Sequence, residues 1–391
     1  MMKPEIEKEV EGVDSTILGA IDTIYLFFYA IGLYISGSLE DRFSMKNVIS
    51  IGMILASFVY FLLVVASWYG FASVSFIIVC WGLQGLLQST VWPGTVALIA
   101  NWFPKASHGG WMGVWSCNSG LGNIVGSQIG LLIFSWYRSW ELVLAFMSGF
   151  MLVCAFLTAG LVQDRPEGKM VVERKGSISF WRAWKLPGVA AYSVAYGCIK
   201  LLMYSLMMWL PYYLKNYVQI SILQMAIILS IFDVGGFLGS MIAGYISDKT
   251  TSREPVLITM MMLAIPVIFC FIFGSPGNVW IYYILVPVCG AFIVACSNLV
   301  STCVATDLAH HTENNEHTNA MATVTGIVDG TGSLGAASGQ IVIGALSKIS
   351  WNYVFFGMIF VGLVSIFVIS IAKFEAESRK NALKEKLIVS S

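Results

Sequence analysis

Runs of apolar residues, each closed by a short charged or Pro/Gly-rich connection, follow one another along almost the whole chain. Eleven are long enough to cross a bilayer, since about 20 helical residues span roughly 30 Å of hydrocarbon. They fall near 15–38, 48–68, 73–100, 110–133, 138–162, 188–214, 221–246, 255–274, 278–305, 319–346 and 351–373. The pattern predicts an all-α, polytopic membrane protein. The longest internal polar stretch, 163–187, holds Arg165, Lys169, Arg174, Lys175, Arg182 and Lys185. It reads as a linker between a bundle of five helices (15–162) and a bundle of six (188–373). A polar segment, 1–14, precedes the first bundle, and a charged tail, 374–391, follows the second.

Composition agrees with this reading. The chain is 57% hydrophobic and 11% charged, whereas charged residues make up about a quarter of an average soluble domain. Its formal net charge is zero, which gives no basis for nucleic-acid binding or a polybasic membrane anchor. The eight cysteines lie in apolar stretches without a C-x-x-C spacing, so they read as small hydrophobes, and neither a metal nor a cofactor is expected. The acidic start, MMKPEIEKEVEGVDS, lacks the basic region and cleavage pattern of a signal peptide, so the first hydrophobic helix must drive insertion.

The two bundles repeat a motif. GSLEDRFSMK (37–46) and GYISDKTTSR (244–253) each have Gly, Asp four later, a base next, and another base four after that. A further Gly stands five residues upstream of each, Gly32 and Gly239. Two copies at equivalent helix ends indicate an internal duplication. Glycine lets helix ends approach, and Asp41 or Asp248 is placed to pair with a nearby base or cap a helix end. Gly37, Asp41, Arg42, Gly244, Asp248 and Lys249 are therefore candidates for gating rather than ligand binding. Sixteen Lys and Arg residues fall on the side of these loops, the linker and the tail, against five on the other side. That bias predicts a cytosolic location for the motif loops, the linker and the C-terminus.

Four ionisable residues lie at membrane depth. Lys200, in AYGCIKLLMYSLMMWLP (195–211), is about 13 residues, roughly 20 Å of rise, from either end of its helix. It reads either as half of a structural ion pair or as a cation facing a wet cavity. Tyr196 and Tyr204 stand one turn before and after it, making a stripe suited to an anion. Asp22, Asp233 and Asp329 are the three acids, each read as a pairing or gating group. Gly122, Gly126 and Gly130 recur every fourth residue, as do Gly235 with Gly239 and Gly335 with Gly339, a pattern for close helix packing. Trp115, Asn118 and Ser119 add polar groups to the helix of the first of these stripes. Gln88 with Trp92-Pro93 interrupts another helix, freeing backbone groups to line a cavity.

The motif loops resemble those of the major facilitator superfamily. Within it, YAIGLYISGSLEDR (29–42), SIFDVGGFLGSMIAGYISDK (230–249), ATVTGIVDGTGSLGAASG (322–339), QSTVWP (88–93) and NWF (101–103) resemble the eukaryotic sugar-phosphate exchanger family. The likeness runs from about residue 14 to 373. It implies two helical bundles with a midplane site, and exchange of an organophosphate such as glucose 6-phosphate for inorganic phosphate. It also implies a multi-pass protein of the endoplasmic reticulum or another endomembrane. By this resemblance Lys200 is the phosphate partner and Tyr29 faces the substrate, while Tyr196, Tyr204, Asn118 and Gln88 would bond phosphate or sugar oxygens. Met203 stands where bacterial relatives place an arginine, and Trp115 to Ser119 lack the histidine usual in helix five. Numbered against the family, the chain begins at helix two, without the helix-one arginine.

The resulting expectation is a sugar-phosphate:phosphate antiporter in a lipid bilayer. A transport-inactive regulator or assembly partner of the same fold is the alternative, as is a transporter of another small anion or sugar; no protein partner is indicated. An enzyme is not expected, since His310, His311 and His317 lie with Glu313 and Glu316 in a polar loop without metal or triad spacing. The duplication makes a topological prediction. Cysteines placed beside Lys46 and Arg253 should label from the same side of the membrane, and labelling from opposite sides would refute it.

Overall fold

The computed structural model describes residues 15–102, 108–164, 178–250, 253–273, 279–305, 307–308 and 321–390. Among these residues there are thirteen α-helices and no strand. In the first half they are α1 (Ser15–Glu40), α2 (Met45–Trp68), α3 (Val74–Gln88), α4 (Val91–Trp102), α5 (His108–Tyr137) and α6 (Trp140–Leu161). The short α7 (Phe180–Trp184) lies in the linker. The second half has α8 (Val189–Asn216), α9 (Ile222–Lys249), α10 (Glu254–Cys270), α11 (Trp280–Asn298), α12 (Met321–Ile349) and α13 (Trp351–Ser390). Local chemistry fixes several starts. Ser73 and Ser139 accept the Phe76 and Leu142 amides, and Ser221 forms a capping box with Gln224.

Nine helical segments are long and apolar enough to cross a membrane. Of the eleven expected, α5 and α12 fall outside this set although they run 30 and 29 residues. Both are rich in Gly, Ser and amide residues: α12 is packed among other helices, and one face of α5 lines an internal cavity. The break expected near Gln88 is present: α3 ends there, and α4 restarts at Val91 with Pro93 in its first turn. The tail is not separate, since α13 continues to Ser390. Most of the linker, and the loop carrying His310, His311 and His317, lie outside the described residues.

Packing repeats as the motif does. α1 packs on α3 as α9 packs on α11, and α2 on α6 as α10 on α13. A Cβ at Gly85 would stand 2.2 Å from the Tyr25 carbonyl oxygen, and one at Gly290 2.3 Å from that of Phe232. The two halves then join through α1 on α12 and α5 on α9. The α1–α12 seam runs the length of both helices, from Asp41 at the motif end, through Tyr34 and Thr331 (hydroxyls 3.0 Å apart), to Thr23, which donates to the Ala337 carbonyl.

One place breaks the symmetry. In the second half α8 lies on α12, α13 and α11. Against α5, α6 and α3, the equivalent place in the first half, no helix is found among the described residues. There Gly122 and Gly126 have nothing within 4 Å of a Cβ position. They line a mainly apolar cavity of about 440 Å3 with Val143 and Leu144 of α6, Met207 and Lys215 of α8, and Met225 of α9. Its walls come from the ends of α5, α8 and α9 away from the motif loops. The contrast is testable by thermal unfolding in detergent. Gly239→Ala, whose Cβ would lie 2.0 Å from the Ala291 oxygen, should cost about 1–3 kcal/mol by overpacking, whereas Gly126→Ala should not lower the midpoint.

Candidate functional site

Lys200 sits near the middle of α8 and is 3% exposed. Its ammonium lies 3.3 Å from Asp329 Oδ1 and donates to the Asp329 carbonyl oxygen at 3.3 Å. The rings of Tyr196, Tyr29 and Tyr204 surround it at 5.3, 5.5 and 5.6 Å, within cation–π range. Asp329 Oδ1 also accepts from Ser301, whose hydroxyl accepts the Trp92 indole N–H at 2.7 Å. Trp92 packs on Trp115, with centroids 5.1 Å apart. Ser301 belongs to a π-helical stretch, Leu299–Val304, that ends α11. Such a wide turn re-aims side chains and is common at functional sites.

Lys200, Asp329, the three tyrosines and Trp92 line a cavity of about 200 Å3 between the halves, together with Ser119, Asn123, Asp233 and Asn298. Asn123 donates to Asp233 at 3.3 Å. Asn123, Asp233 and Met207 also line the larger apolar cavity, so the two spaces meet there. The larger cavity thus adjoins the Lys200 cavity on the side away from the motif loops.

At the motif end the two halves are joined. Asp41 accepts the backbone N–H groups of Ala322 and Thr323, at 3.2 and 2.9 Å, and the Thr323 hydroxyl at 2.6 Å. These amides belong to the first turn of α12, where unpaired donors and the helix dipole favour an anion. Gly37 and Gly326 permit the approach: their Cβ positions would lie 2.4 Å from the Ala322 oxygen and 2.5 Å from the Leu33 oxygen. The second motif is held within its own half. Arg253 pairs with Asp248 at 3.2 Å and Asp307 at 2.7 Å, and donates to Ser247. Lys249 packs over the Tyr245 ring, and Arg42 is exposed. At the position of Ser247 the first half has Glu40, buried over Gly94 with no hydrogen-bond partner for its oxygens.

The structure therefore gathers Lys200, Tyr29, Tyr196, Tyr204, Asp233 and Asp329 around one cavity. Three of the residues singled out from the sequence lie elsewhere. Asn118 is exposed and folds back to donate to the Trp115 carbonyl, because it sits about a quarter turn off the face carrying Ser119 and Asn123. Asp22 is buried but does not line the cavity, being seven residues, roughly 10 Å of rise, before Tyr29. Gln88 lines a neighbouring chamber instead, bonded to Tyr25, Tyr60 and Gln84. The sequence reading missed Asn123, Ser297, Asn298 and Ser301. The polar run Ser297, Asn298, Ser301, Thr302 in an otherwise apolar helix was the available signal.

The buried pair predicts a double-variant result. Removing one partner of a buried ion pair costs about 3–5 kcal/mol, because the other charge is left unpaired. Lys200→Met should lower the unfolding midpoint in detergent, and adding Asp329→Asn should recover most of the loss. Asp233→Asn in the same background should recover none.

The comparisons with known proteins agree with this architecture. The family model of the Major Facilitator Superfamily matches residues 2–325. A sugar phosphate exchanger 3 of Gallus gallus is 35% identical, over 90% of this chain and 78% of the relative. A putative glycerol-3-phosphate transporter 2 of Arabidopsis thaliana is 36% identical, over 91% and 77%, and the Homo sapiens sugar phosphate exchanger 3 is 34% identical, over 90% and 79%. The crystal structure of the human organic anion transporter MFSD10 (TETRAN) superposes with a TM-score of 0.66 at 14% identity, covering 94% of this chain and 88% of that one. Similarity at this level, together with the nine apolar helices, makes the chain an integral multi-pass membrane protein of the Major Facilitator Superfamily, belonging within it to the sugar-phosphate exchanger family.

Proposed function

We propose that this protein exchanges an organic phosphate ester, such as a sugar phosphate or glycerol 3-phosphate, for inorganic phosphate by alternating access. The observation that carries the reading is Lys200, a buried cation ringed by three tyrosines on a cavity between the halves. The names of the relatives supply the substrate class. Charge-assisted bonds to phosphate are strong, and the low dielectric around a buried group strengthens them. The resemblance supports an endomembrane, the endoplasmic reticulum first, with the motif loops in the cytosol.

Asp329 gives the exchange its logic. An incoming phosphate must compete with this carboxylate for Lys200, and Asp329 stands on the same helix whose first turn Asp41 clamps. Displacing Asp329 loosens α12 from α8 in mid-membrane while the clamp still holds its end. When the site empties, the pair reforms. The carrier then crosses readily when loaded and poorly when empty, which is the condition for obligatory exchange.

The same pair favours a second reading, a transport-inactive regulator or assembly partner. Lys200 is the one cation lining the cavity among the described residues, and it is already neutralised by Asp329. Counterflow in proteoliposomes separates the two. Under the exchange reading, labelled phosphate enters only when phosphate or a phosphate ester is inside, and neutral sugars do not substitute. Lys200→Met should lower this exchange more than about tenfold, the loss of one charge-assisted contact of roughly 1.5–3 kcal/mol, and Lys200→Arg should retain part of it. Absence of counterflow with every phosphate ester would favour the inactive reading.

A further inference from the structure

Beside the Lys200 cavity lies a second chamber of about 270 Å3 with no charged residue on its wall. Tyr25, Gln88, Met53 and Met151 of the first half line it, and Tyr29 and Tyr204 form the partition shared with the Lys200 cavity. The polar groups are held rigidly. Tyr25 donates to Gln88 Oε1 at 3.0 Å, and Gln88 Nε2 donates to Tyr60 at 3.0 Å and to Gln84 at 2.9 Å. Gln84 is fixed in turn by donating to the Ala56 carbonyl. The amide N–H groups are thereby used, while the Gln88 carbonyl and the Tyr25 oxygen each keep a lone pair. The Tyr29 and Tyr204 hydroxyls make no hydrogen bond to any described residue.

Free donors and free acceptors on one uncharged wall, with thioether and aliphatic surface between them, match the chemistry of a polyol. Each hydroxyl of a polyol both donates and accepts, and its C–H faces pack on apolar surface. A carboxylate or ammonium would find no counter-charge there, and burying an unpaired charge is costly. Size agrees. Neither chamber alone reaches the roughly 300–1,000 Å3 usual for a small-molecule site, and the two together do. We infer that this chamber holds the uncharged, hydroxyl-bearing part of a phosphate ester whose phosphate sits at Lys200. The ester thus bridges the two halves, whereas inorganic phosphate occupies the Lys200 cavity alone. The assignment rests on the exchange reading for its phosphate, and selects among esters: neutral polyol phosphates are taken, those with a charged organic part are refused.

The test is ligand binding to the purified full chain in detergent, followed by tryptophan fluorescence, with Trp92 on the cavity wall. The probes are inorganic phosphate, glycerol 3-phosphate, glucose 6-phosphate, glucosamine 6-phosphate and 6-phosphogluconate. The two probes with a charged organic part should bind at least about tenfold more weakly than glucose 6-phosphate. Gln88→Leu should lower the ratio of glucose 6-phosphate affinity to phosphate affinity by about tenfold, and the milder Tyr25→Phe by a smaller factor in the same direction. Equal affinity for charged and neutral esters, or a ratio that neither variant moves, overturns the inference. If wild type binds no inorganic phosphate but binds glucose in a manner sensitive to Gln88→Leu, the chamber assignment stands and the Lys200 phosphate reading fails.

Discussion

The arrangement of helices depends on how a lysine is kept at mid-membrane. A charge there is costly unless it is paired or faces a wet cavity, and Lys200 does both. Pairing with Asp329 fixes α12 against α8, and the small residues Gly197 and Gly335 let the two backbones touch where the pair forms: a Cβ on Gly335 would stand 2.5 Å from the Gly197 Cα. Because α12 is also the partner of α1, the position of that one carboxylate is transmitted to the seam between the halves.

The seam explains why α12 falls outside the set of membrane-spanning segments despite its 29 residues. Its residues serve neighbours: Thr323 and the adjacent amide meet Asp41, Thr331 meets Tyr34, Asp329 meets Lys200 and Ser301, and Gln340 accepts the Trp209 indole N–H at 2.9 Å. These polar groups are matched inside protein, so hydropathy falls without their being offered to hydrocarbon. Among the described residues the second motif shows no equivalent of the interdomain bond at Asp41, and its Asp248 turns to Arg253 within its own half. The duplicated sequence thus serves unequal ends. One copy holds the halves together, and the other braces the junction of α9 and α10.

The sequence made the helix count, the two halves, the break after Gln88 and the isolation of Lys200 legible because each is a one-dimensional signal: a run length, a repeated spacing, a proline, a charge among apolar residues. Pairings were less legible. Lys200 had three candidate acids, and helical periodicity places Asp22 on the same face of its helix as Tyr29; only the depth at which α1 crosses removes it from the cavity. Asn118 stands close to Trp115 in sequence, yet the helix turns it away from the cavity that Asn123 lines. The π-helical end of α11, which brings Ser301 to Asp329, shifts register in a way that no 3.6-residue pattern encodes.

How the two ends are held follows from these contacts together. Asp41 closes the motif end by giving the first turn of α12 the anion that its unpaired amides attract. At the other end the facing surfaces of α5, α8 and α9 are mainly glycine, methionine, phenylalanine and aliphatic carbon, and the halves meet there through side-chain bonds, Gln128 donating to Ser230 at 2.9 Å and Asn123 to Asp233 at 3.3 Å. The two ends therefore differ in chemistry. The motif end is held by a carboxylate on a helix start, whereas the opposite end is mainly apolar surface crossed by side-chain bonds. Under the exchange reading proposed above, an alternating-access cycle with these parts is governed at the clamp, and the helix that receives the clamp also carries the counter-ion that a substrate anion would displace.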